Sequence, residues 1–399
     1  MNIAMVVYSH YSRDARVRKY AEILAENKHS VDIICLKENY NPRSKNIRLV
    51  FYPVERRRYN KIWYLIEYLL FFFFALINLA VRSINIKYQI IHVHNMPDFL
   101  VFTAAFPKLT GSKIILDMHD PMPELYLSKY KVNNSDFILN LIRFSEKFAL
   151  NFADIVITAN FNFKKIFIKR YPGIRKKISV IQNFPDEKIF IPEKKSVQED
   201  NFILMYMGTI EERYELFPAI EAIPKLILKI PELKFNIIPK IKTEGNYYRK
   251  LKKLISDLNL DYHVRILPPL PVEGIAREIK NSDIGIILLK KDIFTENIVP
   301  VKLLEFVFME KPVIATKTKA LSGIFPPGSL HFLNENSSGE FISAVTKLYN
   351  DKNLANNLAN TAKKYFKTFN WKTESGIYLK LIAYFNPEVF SASQSPQLK

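Results

Sequence analysis

The stretch "PDEKIFIPEKKSVQEDNFILMYMG", Pro185–Gly208, divides the chain. Up to Asn201 it is polar, charged and without periodicity, the composition of a linker. Phe202–Gly208 is an apolar run closed by glycine, the pattern of a buried strand entering a turn. What lies on either side decides the fold. Upstream, the runs "IAMVVY", "SVDIICL", "IRLVFY", "IIHVH", "KIILDMH", "DIVITA" and "ISVIQNF" alternate with helical patterns. Each is near-continuously apolar, as parallel strands covered on both faces require. Downstream the alternation restarts: "FILMYMG", a helix over 213–228, "LKFNIIP", a helix over 248–258, "VRILP", a helix over 272–281, "DIGIILL", and a helix running into "KPVIAT". The reading is α/β, with two Rossmann-like, doubly wound parallel-sheet domains. Their expected bounds are 1–185, a linker over 186–201, and 202–368. A C-terminal helix at 369–387 is expected to pack back on the first domain, and a polar tail at 388–399 to be disordered.

Composition agrees. A chain of 399 residues suits two domains of about 200 residues. Cys35 is the only cysteine, which excludes an internal disulfide and makes cytoplasmic residence the expectation. "MNIAMVVYSHYS" reads as a first buried strand and not as a signal peptide. The net charge of +19 leaves nucleic acid, an anionic membrane surface and phosphate-bearing substrates open as partners, but part of it is also open to a general compositional bias toward Lys, Ile, Asn and Phe, so it carries little weight. The basic residues are spread out and no nucleic-acid-binding motif occurs, so no nucleic acid is expected.

One segment, "RRRYNKIWYLIEYLLFFFFALINLAVRSINIK", could meet a bilayer. Its apolar part, 62–81, admits three readings: a helix resting on the membrane surface, a buried sheet-covering helix, or a span. Glu67 lies inside it, and the strands on either side, around Ile47–Phe51 and Ile90–His94, belong to one sheet; both count against a span. In the surface reading Arg56, Arg57, Arg58 and Lys61 contact anionic lipid, peripherally on the inner face of the cytoplasmic membrane.

Parallel sheets bind ligands at the carboxyl ends of their strands. There the first domain offers His10 and Asp14, then His94, Asn95 and Asp98, then His119, Asp120 and Glu124. The second offers Gly208, Thr209 and Arg213, a glycine that admits close approach to phosphate and a cation to neutralise it. Further on, Pro300 suits a first helical turn, leaving free amides around Ile298, Val299 and Val301. Lys302 sits where a cation opposes the helix dipole unless an anion is present. Glu305 lies ~7 to 8 Å along the axis, about the offset from a pyrophosphate to its ribose, and can accept two hydroxyl hydrogen bonds. The pair therefore reads as phosphate holder and ribose holder. No Walker loop, G-x-G-x-x-G after a strand, C-x-x-C, H-E-x-x-H or EF-hand pattern occurs, so no metal or cofactor is expected beyond a nucleotide co-substrate.

Taken together these segments resemble glycosyltransferase family 4. The resemblance rests on "SRDARVRKYAEILAENKHSVDII", with Asp14, Arg16 and Val17 as D-x-R-V, on "IIHVHNMPDFL" and "ILDMHDPMPELY", on "ADIVITANF" and "ISVIQNFPD", and on "YMGTIEER" and "VPVKLLEFVFMEKPVIAT". It implies a GT-B fold, two domains facing across a cleft, and retaining transfer from a UDP- or GDP-linked sugar without metal. The acceptor implied is lipid-linked or a polysaccharide of the cell envelope. By similarity Glu305 binds the ribose, and Arg213 and Lys302 face the diphosphate. His119, at the D-x-H position, contacts the donor sugar, with Asp120 beside it as the second catalytic candidate. His10, Asp14, His94, Asp98 and Glu124 fall in the acceptor and sugar pocket. The chain departs from the family at Asn297, where the first glutamate of E-x7-E belongs, at Gly208-Thr209 in place of Gly-Arg, and at Pro239-Lys240 in place of a glycine-rich turn. The alternatives are a sugar-nucleotide 2-epimerase of the same fold and a non-catalytic nucleotide-sugar or nucleic-acid binder.

Overall fold

The structure is a computed structural model describing residues 1–54, 61–130, 136–193, 201–240 and 245–385. Arg56, Arg57, Arg58, the side chain of Lys61, part of the expected linker and the tail after 385 lie outside the described residues. The chain forms two compact units, one of Met1–Asn183 with the residues from Lys372 onward, the other of Phe184–Trp371.

The first unit is built on seven parallel strands: β1 (Asn2–Val6), β2 (Ser30–Leu36), β3 (Ile47–Tyr52), β4 (Ile90–His94), β5 (Lys113–Met118), β6 (Ile155–Thr158) and β7 (Ile178–Val180), in the order β3-β2-β1-β4-β5-β6-β7. The order reverses between β1 and β4, so the loops leaving these two strands diverge there. The helices are α1 (Ala15–Glu26), α2 (Lys61–Asn85), α3 (Ala105–Leu109), α4 (Met122–Tyr130), α5 (Phe137–Phe152) and α6 (Phe161–Arg170). Right-handed crossovers put α1 on one face of the sheet and α2, α3, α5 and α6 on the other. The C-terminal helix, Trp371–Tyr384, belongs to this unit from Lys372 onward: the Tyr378 ring packs on Tyr20 at 4.3 Å and its hydroxyl bonds His92 Nδ1 at 2.9 Å.

The Phe-rich helix α2 is only partly buried, and by length and composition alone it is apolar enough to cross a membrane. Phe71, Ala75 and Leu79 are fully buried at helical spacing, and Glu67 continues this stripe, accepting the Tyr8 hydroxyl at 3.1 Å. The opposite side, with Leu65, Leu69, Phe73 and Ile77, is exposed. Because α2 leaves β3 and returns to β4 of the same sheet, it lies along the sheet.

The second unit has six parallel strands: β8 (Phe202–Gly208), β9 (Leu233–Pro239), β10 (Val264–Ile266), β11 (Ile284–Ile287), β12 (Val313–Thr316) and β13 (His331–Leu333), in the order β10-β9-β8-β11-β12-β13. Its helices include α7 (Leu216–Ile227), α8 (Asn246–Asp257), α9 (Val272–Asn281) and α10 (Val301–Phe308). The helix expected from Arg213 starts later: Glu212–Tyr214 form a 3-10 turn and Glu215 is left-handed at φ 37° before α7 begins. Phe184 and Phe190 are buried in this unit's core, which therefore begins ahead of its first strand. Gly285 in β11 lies directly under Phe306 of α10; a Cβ there would fall 2.5 Å from the ring's Cγ. That contact seats α10 against the sheet.

Candidate active site

In the second unit the loop after β8 and the start of α10 meet around one amine. Pro300 caps α10, and its carbonyl accepts the Leu303 amide at 3.0 Å. Two residues on, Lys302 turns its Nζ inward between the rings of Tyr206 and Tyr214, 4.1 and 4.2 Å from their centroids. Nζ is buried and makes no hydrogen bond, while the residue's remaining exposure lies elsewhere along it. Burial pulls its pKa down to about 7, against the opposing charge of Glu305. The aromatic faces supply some attraction for the cation but accept no proton. Gly208 forms the next wall: at φ +129° it adopts a conformation side chains avoid, and a Cβ there would lie 3.2 Å from Nζ. The Tyr206 hydroxyl donates to the Thr209 carbonyl at 2.6 Å, fixing the turn.

A buried ammonium lacking an acceptor, at a helix start beside an open glycine backbone, suits an anion. Glu305 follows one turn later, half-buried. The other expected donor residues are engaged locally. Arg213 pairs with Glu211 at 3.4 Å and lies over the Phe294 ring. Asn297 does not reach out as a sugar ligand would: its Nδ2 donates to the Ile293 carbonyl at 2.9 Å. Glu296 accepts the Lys319 amide at 2.8 Å, so it does not substitute for the missing glutamate in this arrangement. Ile298 and Val299 pack their side chains against the core, leaving only their backbone for a ligand.

In the first unit the centre is Asp117, which is wholly buried. Arg16 holds it in a bidentate pair, Nε to Oδ2 at 2.7 Å and Nη2 to Oδ1 at 2.8 Å, and also donates to the Ile181 carbonyl and Asn183. His94 Nδ1 and His119 Nε2 each lie 3.1 Å from Oδ2. Burial alone would raise the Asp117 pKa, yet Arg16 and His119 hold it well below the usual carboxylate range. Burial lowers the pKa of His94. For His119 burial opposes charge, but Asp117 outweighs it and the pKa rises. Asn95 braces the loop by accepting the His119 amide at 2.7 Å and donating to Asp98 and to the Asp120 carbonyl. His119, part-exposed, is the member of the set that faces outward.

His92, His94 and Asp117 lie close enough together to hold a metal ion. However, Arg16 occupies both Asp117 oxygens, and His94 turns its Nδ1 to the same carboxylate. The Nε2 atoms of His92 and His94 are buried without a hydrogen-bond partner.

Of the residues expected in the acceptor pocket, several carry structural contacts. His94 and Asp98 are buried and serve the loop framework, and burial lifts the Asp98 pKa to about 6. Glu124 is buried too, because Arg170 of α6 reaches in to bind both it and Glu146. Asp14 caps α1 by accepting the Val17 amide at 3.2 Å, and His10 precedes a one-turn helix, so both shape the first loop. The residues missed as site members were Arg16 and Asp117. The signal was present: a charge on the buried side of a helix, and a carboxylate inside the strand "KIILDMH".

Two family models match, "Glycosyltransferase Family 4" over residues 15–188 and "Glycosyl transferases group 1" over residues 187–365. The "Putative teichuronic acid biosynthesis glycosyltransferase TuaH" of Bacillus subtilis (strain 168) is 21% identical over 240 residues, 57% of this chain and 58% of that protein, so the match spans little more than half its length. Among solved structures, sucrose-phosphate synthase from Thermosynechococcus elongatus superposes with a TM-score of 0.74 at 17% identity, covering 98% of this chain and 100% of that one. Anabaena HepE, solved in complex with UDP-glucose, gives 0.70 at 14% identity over 96% and 100%. At such identities the structures establish the fold, which is GT-B, and the family models establish the lineage: the chain belongs to glycosyltransferase family 4.

Proposed function

We propose that this glycosyltransferase moves a sugar, with retention, from a nucleotide-sugar to a lipid-linked or polysaccharide acceptor of the cell envelope. The observation that carries the reading is the buried Lys302 Nζ, without a hydrogen-bond acceptor and walled by Gly208, which a diphosphate would satisfy. Supporting it, HepE was solved with UDP-glucose, and TuaH is described by teichuronic acid biosynthesis.

Retention by front-face transfer suits the residues present. The carboxylate beside His119 is Asp117, and its two oxygens are committed to Arg16 and the histidines, so it is not free to attack a sugar carbon. The bond from the anomeric carbon to the diphosphate breaks, and the acceptor oxygen bonds on the same face. The acceptor's proton passes to the departing phosphate. Lys302 and the α10 amides stabilise the developing diphosphate charge, Glu305 holds the ribose, and His119 orients the sugar. No metal takes part, so chelation with EDTA leaves the rate unchanged. The enzyme works peripherally on the inner face of the cytoplasmic membrane, resting on α2, and the basic sequence of Arg56, Arg57, Arg58 and Lys61 suits anionic lipid.

The test is a thermal-shift panel of nucleotide-sugars followed by product analysis with membrane acceptors. A nucleotide that stabilises the wild type but not Lys302→Ala, with transfer to an acceptor, supports the reading. Stabilisation by no nucleotide sinks it, and conversion of the donor sugar without acceptor marks an epimerase.

A further inference from the structure

We propose that the membrane-facing surface is not α2 alone but a continuous apolar plate formed by α2, α3 and α5, which seats in the interface of an anionic bilayer. The inference rests on the peripheral placement proposed above and adds to it a second docking helix. On α5, Phe137, Ile138, Leu141, Phe144 and Phe148 are all exposed, Phe137 by 80%, and they recur at helical spacing along one side. The other side of the same helix, with Leu139, Glu146, Ala149 and Leu150, is buried. An ordinary surface helix shows the reverse, polar residues outward. Phe144 and Phe148 stack on each other at 4.3 Å, an apolar pair facing away from the core.

The two helices are joined through the segment between β4 and β5. Phe72 of α2 meets Phe99 at 5.8 Å, and Phe102 meets Phe152 at the end of α5 at 5.2 Å. Between them α3 exposes Phe106 and Leu109, the latter by 86%. All three helices cover the same sheet face, so their exposed rows form one surface. Most of the exposed large apolar side chains among the described residues lie on it. Patches of that extent on soluble monomers are uncommon and mark interaction surfaces.

Charge selects the occupant. A second copy of a chain carrying +19 would be repelled, whereas anionic headgroups would be attracted. Lys147 is exposed on α5, and Lys165 and Lys169 are exposed on neighbouring α6. Apolar side chains entering the acyl boundary with lysines at headgroup level is the arrangement of an interfacial helix.

The experiment is flotation of the full chain with phosphatidylcholine vesicles, with and without phosphatidylglycerol. It compares the wild type with F144D/F148D on α5 and F73D/I77D on α2. The wild type should float with the anionic vesicles, and each double variant should bind about a hundredfold more weakly. Both variants should keep the wild-type nucleotide-induced thermal shift, which shows that they are folded. If the α5 variant floats like the wild type while the α2 variant does not, the plate reduces to one helix and the proposal fails. If the α5 variant floats normally but dissociates an oligomer seen by light scattering, the surface is a self-interface and the proposal also fails. A wild type that floats as expected but responds to no nucleotide would overturn the proposed function and leave the plate standing.

Discussion

Under the proposed function, diphosphate binding at the buried Lys302 amine should be accompanied by proton uptake. Bringing its pKa from the ordinary 10.5 down to about 7 means that burial disfavours the charged form by ~5 kcal/mol, at ~1.4 kcal/mol per tenfold. A diphosphate arriving at Nζ restores the charge and with it the proton. At pH 7.5 a large part of the free protein carries a neutral amine, so binding UDP should take up a sizeable fraction of one proton at this site. Affinity should fall about tenfold per pH unit above 7, until the pKa of the bound state is reached. The nucleotide's own phosphates are almost fully ionised at that pH, their second pKa being about 6. The assay is isothermal calorimetry of UDP binding at pH 7.5 in phosphate and in Tris, whose ionisation enthalpies differ, repeated with Lys302→Met. The wild type should show the uptake and the variant none. Equal wild-type affinity at pH 7 and pH 9 with no uptake would refute the reasoning. Without nucleotide the sign reverses. The unfolded chain keeps the lysine proton between pH 7 and about 10, so this residue makes the apo protein more stable as pH rises through that window.

Arg16→Met should cost about 3–5 kcal/mol in the stability of the first unit, because it strands the buried Asp117 carboxylate; denaturant titration followed by Trp63 fluorescence measures it. Gly208→Ala should weaken UDP binding by about tenfold and cost roughly 1–2 kcal/mol, since both the +129° backbone and the 3.2 Å approach to Nζ oppose a methyl group; calorimetry with a melting curve reads both. Gly285→Ala should destabilise the second unit by about 1–3 kcal/mol through its clash with Phe306, seen as a lower melting transition.

The strands were legible because parallel strands covered on both faces are apolar throughout, as "KIILDMH" and "FILMYMG" are. Helix α10 was legible because a lysine and a glutamate in an otherwise apolar helix need an explanation. The partners of Lys302 were not: Tyr206 and Tyr214 come from another part of the chain and look like ordinary aromatic residues in it. Arg16 and Asp117 are 101 residues apart, and only the fold shows that one neutralises the other. Asp98 and Glu124 followed strand ends as expected, but sequence spacing could not reveal that Arg170, arriving from α6, draws Glu124 inward. The exposed row on α5 carries the same 3.6-residue signature as a core helix, so which side met the sheet was undecided until the topology was known.

The contact between Gly285 and Phe306 separates two kinds of inheritance. Phe306 follows Glu305 directly and lies little more than one turn from Lys302, so the depth and rotation of α10 are registered from the hydrophobic side, by the absence of one methyl group. In the loop ahead of it Asn297 is tied back on Ile293, while Ile298 and Val299 pack against the core. Changes in that loop can alter which sugar is accepted without moving the amine or the carboxylate. Under the proposed function, diphosphate recognition would then descend with the core, while sugar choice would be free to change with the loop.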